Sequence, residues 1–149
     1  MTDNLPELAT ENELPVPSED ERSTAMLPHI LQVFGSFFPP LVILLVKRKS
    51  RYVRFHALQA LIWQLIATVL TVIAFVGFFI GMMMSMTSMP QGANAQPPKA
   101  LFFFPVIWLL MMGQYAICVV LAIVYSIKCN RGQWSKYPLI GQLALRWSV

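Results

Sequence analysis

Long stretches without a charged side chain alternate with short polar segments along this chain: residues 26–46, 57–85 and 100–127 contain no Asp, Glu, Lys or Arg. Their unbroken apolarity lacks the in–out alternation of barrel strands, and about 20 helical residues suffice to cross a hydrocarbon core of roughly 30 Å. The pattern predicts an all-α membrane protein with three transmembrane helices, at approximately residues 26–46, 58–85 and 101–127. Pro39 and Pro40 interrupt the first of these past its middle, where the missing N–H groups predict a kinked span. A re-entrant hairpin is the rival, and it would return the N-terminus to the side it came from. After the last block, Asn130 and Gly132 are helix terminators. Residues 134–149 then read as an interfacial tail: Trp134 and Tyr137 suit headgroup depth, and Leu139, Ile140, Leu143 and Trp147 share one helical face, with Gln142 and Arg146 displaced from it.

The polar segments set the expected topology. All seven Asp and Glu residues lie between Asp3 and Glu21, so residues 1–24 form an acidic, Pro-containing arm with too little apolar area to order itself. Ser23 or Thr24 is then the expected cap of a helix starting near Met26. The membrane domain occupies residues 25–149. Lys47, Arg48, Lys49, Arg51 and Arg54 fill the first link, and Lys128, Arg131, Lys136 and Arg146 follow the last block, whereas the Pro90, Gly92, Asn94, Pro97 and Pro98 region has only Lys99 beside it. Short basic loops remain cytoplasmic. With three spans this predicts a multi-pass membrane protein, its C-terminus cytoplasmic and its acidic N-terminus outside. Lys47, Arg48, Lys49, Arg51, Lys128, Arg131 and Lys136 are the expected contacts for anionic lipid headgroups. No cleavable signal or organellar presequence is evident.

Composition agrees with this placement. Charged residues make up 12% and hydrophobic residues 56% of the chain, too few charges to clothe a soluble domain, so nucleic-acid binding is not expected despite a net charge of +4. Small and polar residues recur at helical spacing: Ala60, Ala67, Gly77 and Gly81 on the second block, and Cys118, Ala122 and Ser126 on the third. These are candidate packing stripes, within the chain or between copies, with Gly77 and Gly81 forming a GxxxG element. Cys118 and Cys129 lie about 16 Å apart along one helix and do not pair within it. His56, Gln59 and Gln64 gather at the start of the second block, and His29 with Gln32 at the far end of the first. On the three-span topology the two histidines sit on opposite sides of the membrane, and no metal or other cofactor is expected. The spans hold no carboxylate base, and Walker, dinucleotide, zinc-protease and nucleophile-elbow motifs are absent.

The run Tyr52-Val53-Arg54-Phe55-His56-Ala57-Leu58-Gln59-Ala60-Leu61, continued by Ile62, Trp63 and Gln64, resembles the central motif of the Tic20-like family of small multispanning bacterial membrane proteins. Residues 122–128, Asn130, Gly132 and Trp134-Ser135-Lys136-Tyr137-Pro138 are similar to that family's closing segment, and His29 also fits. The resemblance covers residues 25 to about 139. It implies three spans and location in the bacterial inner membrane, and it singles out Arg54, Phe55, His56, Gln59, Ala60, Asn130, Gly132, Tyr137 and Pro138 as two boundary elements able to pack together. In that reading Arg54 meets phosphate, His56 and Gln59 cross-link helix ends, and Tyr137 with Pro138 turns the tail along the interface. The function expected is that of a noncatalytic accessory, assembly or scaffold component of a membrane complex, partnered by lipids and by another membrane protein or further copies of itself. A small transporter or channel-forming oligomer, with His56, Gln59, Gln64 and Gln114 along a hydrated path, is the alternative.

Overall fold

A computed structural model describes residues 14–88, 97–138 and 140–148. Most of the acidic arm, Pro90, Gly92, Asn94 and Leu139 therefore lie outside the described residues. The described residues form five α-helices: α1 (Glu19–Gly35), α2 (Phe38–Val46), α3 (Arg51–Thr87), α4 (Phe104–Asn130) and α5 (Gly141–Ser148), with a 3₁₀ helix, Lys99–Phe103, leading into α4. No strand occurs among the described residues.

Among the described residues two helical segments, not three, are long and apolar enough to cross a membrane: Arg51–Thr87 and Lys99–Asn130. The expected third span divides because of its prolines. Pro39 lies in the first turn of α2, where a missing N–H costs nothing, so the pair starts a new helix instead of kinking an old one. The break falls at Ser36, whose φ of 56° is left-handed and whose N–H bonds to the Gln32 carbonyl at 3.0 Å. Gly35 is needed beside it, since a Cβ there would stand 2.5 Å from Pro39 Cγ. Neither resulting helix, of 17 and 9 residues, has the length of a span. Chain direction reverses at the break: Asp20 at the start of α1 pairs with Lys47 just past α2 at 3.7 Å. The helical hairpin lies along α3, its tip joined to Thr68 and Gln64 through Ser36 Oγ at 3.4 and 3.2 Å.

That hairpin revises the topology. Trp134 Nε1 donates to the Pro15 carbonyl at 3.2 Å, and Arg54 Nη2 to the Trp147 carbonyl at 3.3 Å. The described N-terminal residues, the basic link and the C-terminal tail thus share one end of the α3–α4 pair. Two candidate spans in place of three remove the basis for expecting the N-terminus and the C-terminus on opposite sides.

Helix α1 begins well before Met26, at Glu19, so the last part of the supposed disordered arm is helical. Its cap is neither Ser23 nor Thr24. Ser18 Oγ accepts from the Glu21 N–H at 3.3 Å and Glu21 Oε2 accepts from the Ser18 N–H at 2.9 Å, a reciprocal capping box. The other Glu21 oxygen accepts from Ser50 Oγ at 2.6 Å, and Ser50 in turn caps α3 through the Val53 N–H at 3.2 Å. One carboxylate therefore serves two helix N-termini, where the helix dipoles also favour negative charge. These bonds, the Ser50 hydroxyl foremost, hold the Glu21 pKa below its ordinary 4.5. Folding lowers that pKa, so the contribution is complete above the ordinary value and is lost as pH falls through the lower folded-state value. Amide exchange at residues 19–22 and 51–54 should accelerate together in acid, and Glu21→Gln should flatten the response.

The apolar halves of α3 and α4 have little cover inside the chain. Val69, Ile73, Phe79, Leu109, Leu110 and Val120 are all more than half exposed, as bilayer-facing residues must be. A cleft of about 350 Å³ separates the helices at Gly77, Gly81, Phe103 and Val106, and a Cβ on either glycine would meet nothing within 4 Å. The close approach that the GxxxG spacing permits is not made within this chain. Packing concentrates at the opposite end, where Ala25, Tyr52, Val53, Phe55, Cys129, Trp134, Ala144 and Leu145 form the main cluster. Helix α5 buries Ala144 and Leu145 there and leaves Leu143 and Trp147 exposed, whereas Ile140, expected on the same lipid face, is buried against Tyr125 and Tyr137.

Candidate functional site: a buried polar junction

Helices α1, α3 and α4 meet the segment after α4 around a set of buried polar side chains. The chain is brought there by the end of α4. Gly132, with φ 73°, follows the C-cap; its N–H bonds to the Cys129 carbonyl at 2.9 Å and the Gln133 N–H to the Lys128 carbonyl at 3.1 Å. This paired pattern closes the helix and turns the chain back along α3. A Cβ at Gly132 would lie 3.0 Å from Arg22 Nε, which itself donates to the Pro17 carbonyl at 3.1 Å. Gly132→Ala should cost about 1–2 kcal/mol through the left-handed backbone alone, read as a lowered unfolding midpoint in detergent.

Gln59 fastens the returning segment. Its Nε2 donates to the Ser135 carbonyl at 3.1 Å, and its Oε1 accepts a short bond from the Tyr137 N–H. Both ends of one amide thus pair with an irregular stretch of backbone that has no helix or sheet to satisfy it. Tyr125 Oη donates to the Lys136 carbonyl between them at 2.7 Å, and Tyr52 Oη bonds to the Cys129 and Gln133 carbonyls at 3.0 and 3.3 Å. Phe55 is fully buried against the Trp134 ring, with centroids 5.4 Å apart.

The two histidines stand at the centre, not on opposite sides of the membrane. His29 Nε2 lies 3.3 Å from His56 Nδ1, and His29 Nδ1 lies 2.9 Å from Tyr137 Oη. Gln32, one turn after His29, donates to the same phenol oxygen at 3.4 Å. Burial in this apolar setting pushes the Tyr137 hydroxyl pKa upward, so it remains protonated and can serve as donor or acceptor. His29, His56 and Cys129 each place one ligand atom within 4.8 Å of the others. The expectation that rested on separate sides is overturned by the same hairpin that removed the third span.

A second polar tier lies farther along the helices. Cys118 Sγ donates to Gln64 Oε1 at 3.3 Å, while Gln114 Nε2 bonds to the Ala67 carbonyl at 3.0 Å and Thr71 Oγ1 at 2.9 Å. Ala60, Ala67, Cys118, Ala122 and Ser126 are buried along this seam. Among the other residues singled out in the sequence, Arg54 reaches the C-terminal carbonyl of Trp147, while Asn130 and Pro138 are exposed at the two bends. Lys47, Arg48, Lys49, Arg51, Arg131 and Lys136 are exposed around the junction, and Lys128 lies over the Tyr125 ring at 5.1 Å. The Ser18–Glu21 box was present as a Ser-x-x-Glu signature; Ser36 and Tyr52 carried no comparable signal.

A family model described as the magnetosome magnetite crystal formation protein family matches residues 20–144, from the start of α1 to the middle of α5. The chain belongs to this family. The resemblance to the Tic20-like family is thereby corrected: the family that matches the chain is the magnetosome one. No curated protein and no solved structure matches the chain. Membership joins the two apolar helices in marking a membrane protein, of a family concerned with forming magnetite crystals.

Proposed function

We propose that this protein is a noncatalytic component of the magnetosome membrane, acting in magnetite crystal formation as an accessory or assembly element. The family match over residues 20–144 carries the reading. The geometry supports a structural role. Gln59, Tyr52, Tyr125 and Gln64 spend their hydrogen bonds joining helices and backbone segments. Gln64 and Gln114, which a hydrated path would need free, are engaged between α3, α4 and the hairpin tip, so a transporter has less support. With the basic residues ringed about the junction, that end faces the cytoplasm and anionic headgroups. The bare apolar faces of α3 and α4 are then available to lipid and to another membrane protein.

Removing the gene, with any paralogue, from a magnetite-forming host should alter crystal size or number in electron micrographs, and the intact gene should restore both. Iron uptake into sealed vesicles carrying the purified protein should equal that of empty vesicles. Crystals indistinguishable from wild type in the deleted strain would overturn the assignment.

A further inference from the structure

We propose that His29, His56 and Cys129 form a binding site for a single borderline transition-metal ion, with zinc as the reference occupant. The site lies at the junction of α1, α3 and α4 and does not depend on the role proposed above. All three side chains are fully buried, at 0% exposure, and one ligand atom from each falls within 4.8 Å of the other two. The 3.3 Å between His29 Nε2 and His56 Nδ1 is the edge of a tetrahedron with metal–nitrogen bonds of about 2.0–2.1 Å. Two imidazoles and a thiolate are the donors that zinc and its neighbours prefer, and the absence of carboxylate from the cluster disfavours calcium and magnesium.

Hydrogen bonding alone leaves the junction incomplete. If His29 Nε2 carries the proton toward His56, or His56 Nδ1 carries it toward His29, the outer nitrogen of His56 must still find a partner. It has no partner among the described residues. Gln32 Oε1, one turn from His29, is likewise buried and unpaired. A bound ion would take both facing nitrogens as ligands, their lone pairs turned to the metal in place of the one hydrogen bond between them. His29 would hold its proton on Nδ1 against Tyr137 Oη, the outer-shell arrangement that fixes a ligating imidazole, and His56 would hold its own on Nε2. Cys129 binds as thiolate, its proton leaving to solvent as the sulfur–metal bond forms. Gln32 Oε1 or a water completes the fourth position. Because the ligands come from three helices, the ion would clamp the hairpin to the membrane-crossing pair.

The full-length chain, purified in detergent under reducing conditions with any affinity tag removed and stripped with chelator, should take up about one equivalent of cobalt(II). A thiolate-to-cobalt charge-transfer band and the intense visible absorption of a tetrahedral ion should appear, and zinc should displace both. Cys129→Ser should abolish the charge-transfer band and His56→Gln should weaken uptake at least tenfold, while zinc raises the unfolding midpoint of the wild type and of neither variant. Should either variant fail to fold, X-ray absorption on the zinc-loaded wild type decides: a first shell containing one sulfur with nitrogens supports the site. A shell of nitrogen and oxygen only, or the same uptake by wild type and Cys129→Ser, would overturn it.

Discussion

Phe55→Ala should be the most damaging truncation in this protein, lowering stability by about 3–5 kcal/mol, the range for emptying a buried phenylalanine position. Phe55 is completely buried and touches both the Trp134 and His56 rings, at centroid distances of 5.4 and 5.0 Å. Its loss opens a void between α3 and the segment that follows α4, in the larger of the clusters those elements share. Thermal unfolding in detergent should show a large fall in midpoint for Phe55→Ala. The same truncation at Phe79, which is 59% exposed on the apolar half of α3, should leave the midpoint nearly unchanged. Equal effects at the two positions would place the stability elsewhere.

Gln59→Leu should cost about 2–5 kcal/mol, although the two side chains are close in size. The amide satisfies the Ser135 carbonyl and the Tyr137 N–H at once. Leucine strands both, and each buried group left without a partner costs about 1–3 kcal/mol. Gln59→Glu keeps the acceptor for Tyr137 and loses the donor to Ser135, so it should fall between wild type and leucine unless its buried charge dominates. Hydrogen exchange at Tyr137 separates these cases: protection should vanish in Gln59→Leu and persist in Gln59→Glu.

Much of this arrangement was legible from residue order. The spans at 58–85 and 101–127 lie within α3 and the Lys99–Asn130 segment, because long charge-free runs admit no other solution in lipid. Pairing of the Tyr52–Gln64 region with the Trp134–Pro138 region was also expected; Gln59 joins them, and Arg54 donates to the Trp147 carbonyl. The first apolar run misled for a physical reason. Apolarity measures what a residue can be buried in, not how far the chain travels. Pro39 and Pro40 are compatible with either a kink or a fresh helix, and the choice depended on the left-handed Ser36 and the Gly35–Pro39 approach. Everything that followed from counting three spans, including the separation of His29 from His56, failed with it. The metal-like grouping was hidden for the same cause: its ligands are 27 and 73 positions apart along the chain, a relation that only the folded hairpin reveals.

Helix α3 is 37 residues long, about 55 Å, against a hydrocarbon core of roughly 30 Å. It is gripped by α1, α2, α4 and α5 near its start and stands apart from α4 beside Gly77 and Gly81. The molecule is thus a fork with a densely bonded handle and two tines that meet more sparsely, through the Lys99–Phe103 turn and the Phe78–Phe104 ring pair at 5.9 Å. Where the surrounding bilayer thins or thickens, the tines can tilt or spread to match it at modest cost, and the bonded network in the handle is spared the strain.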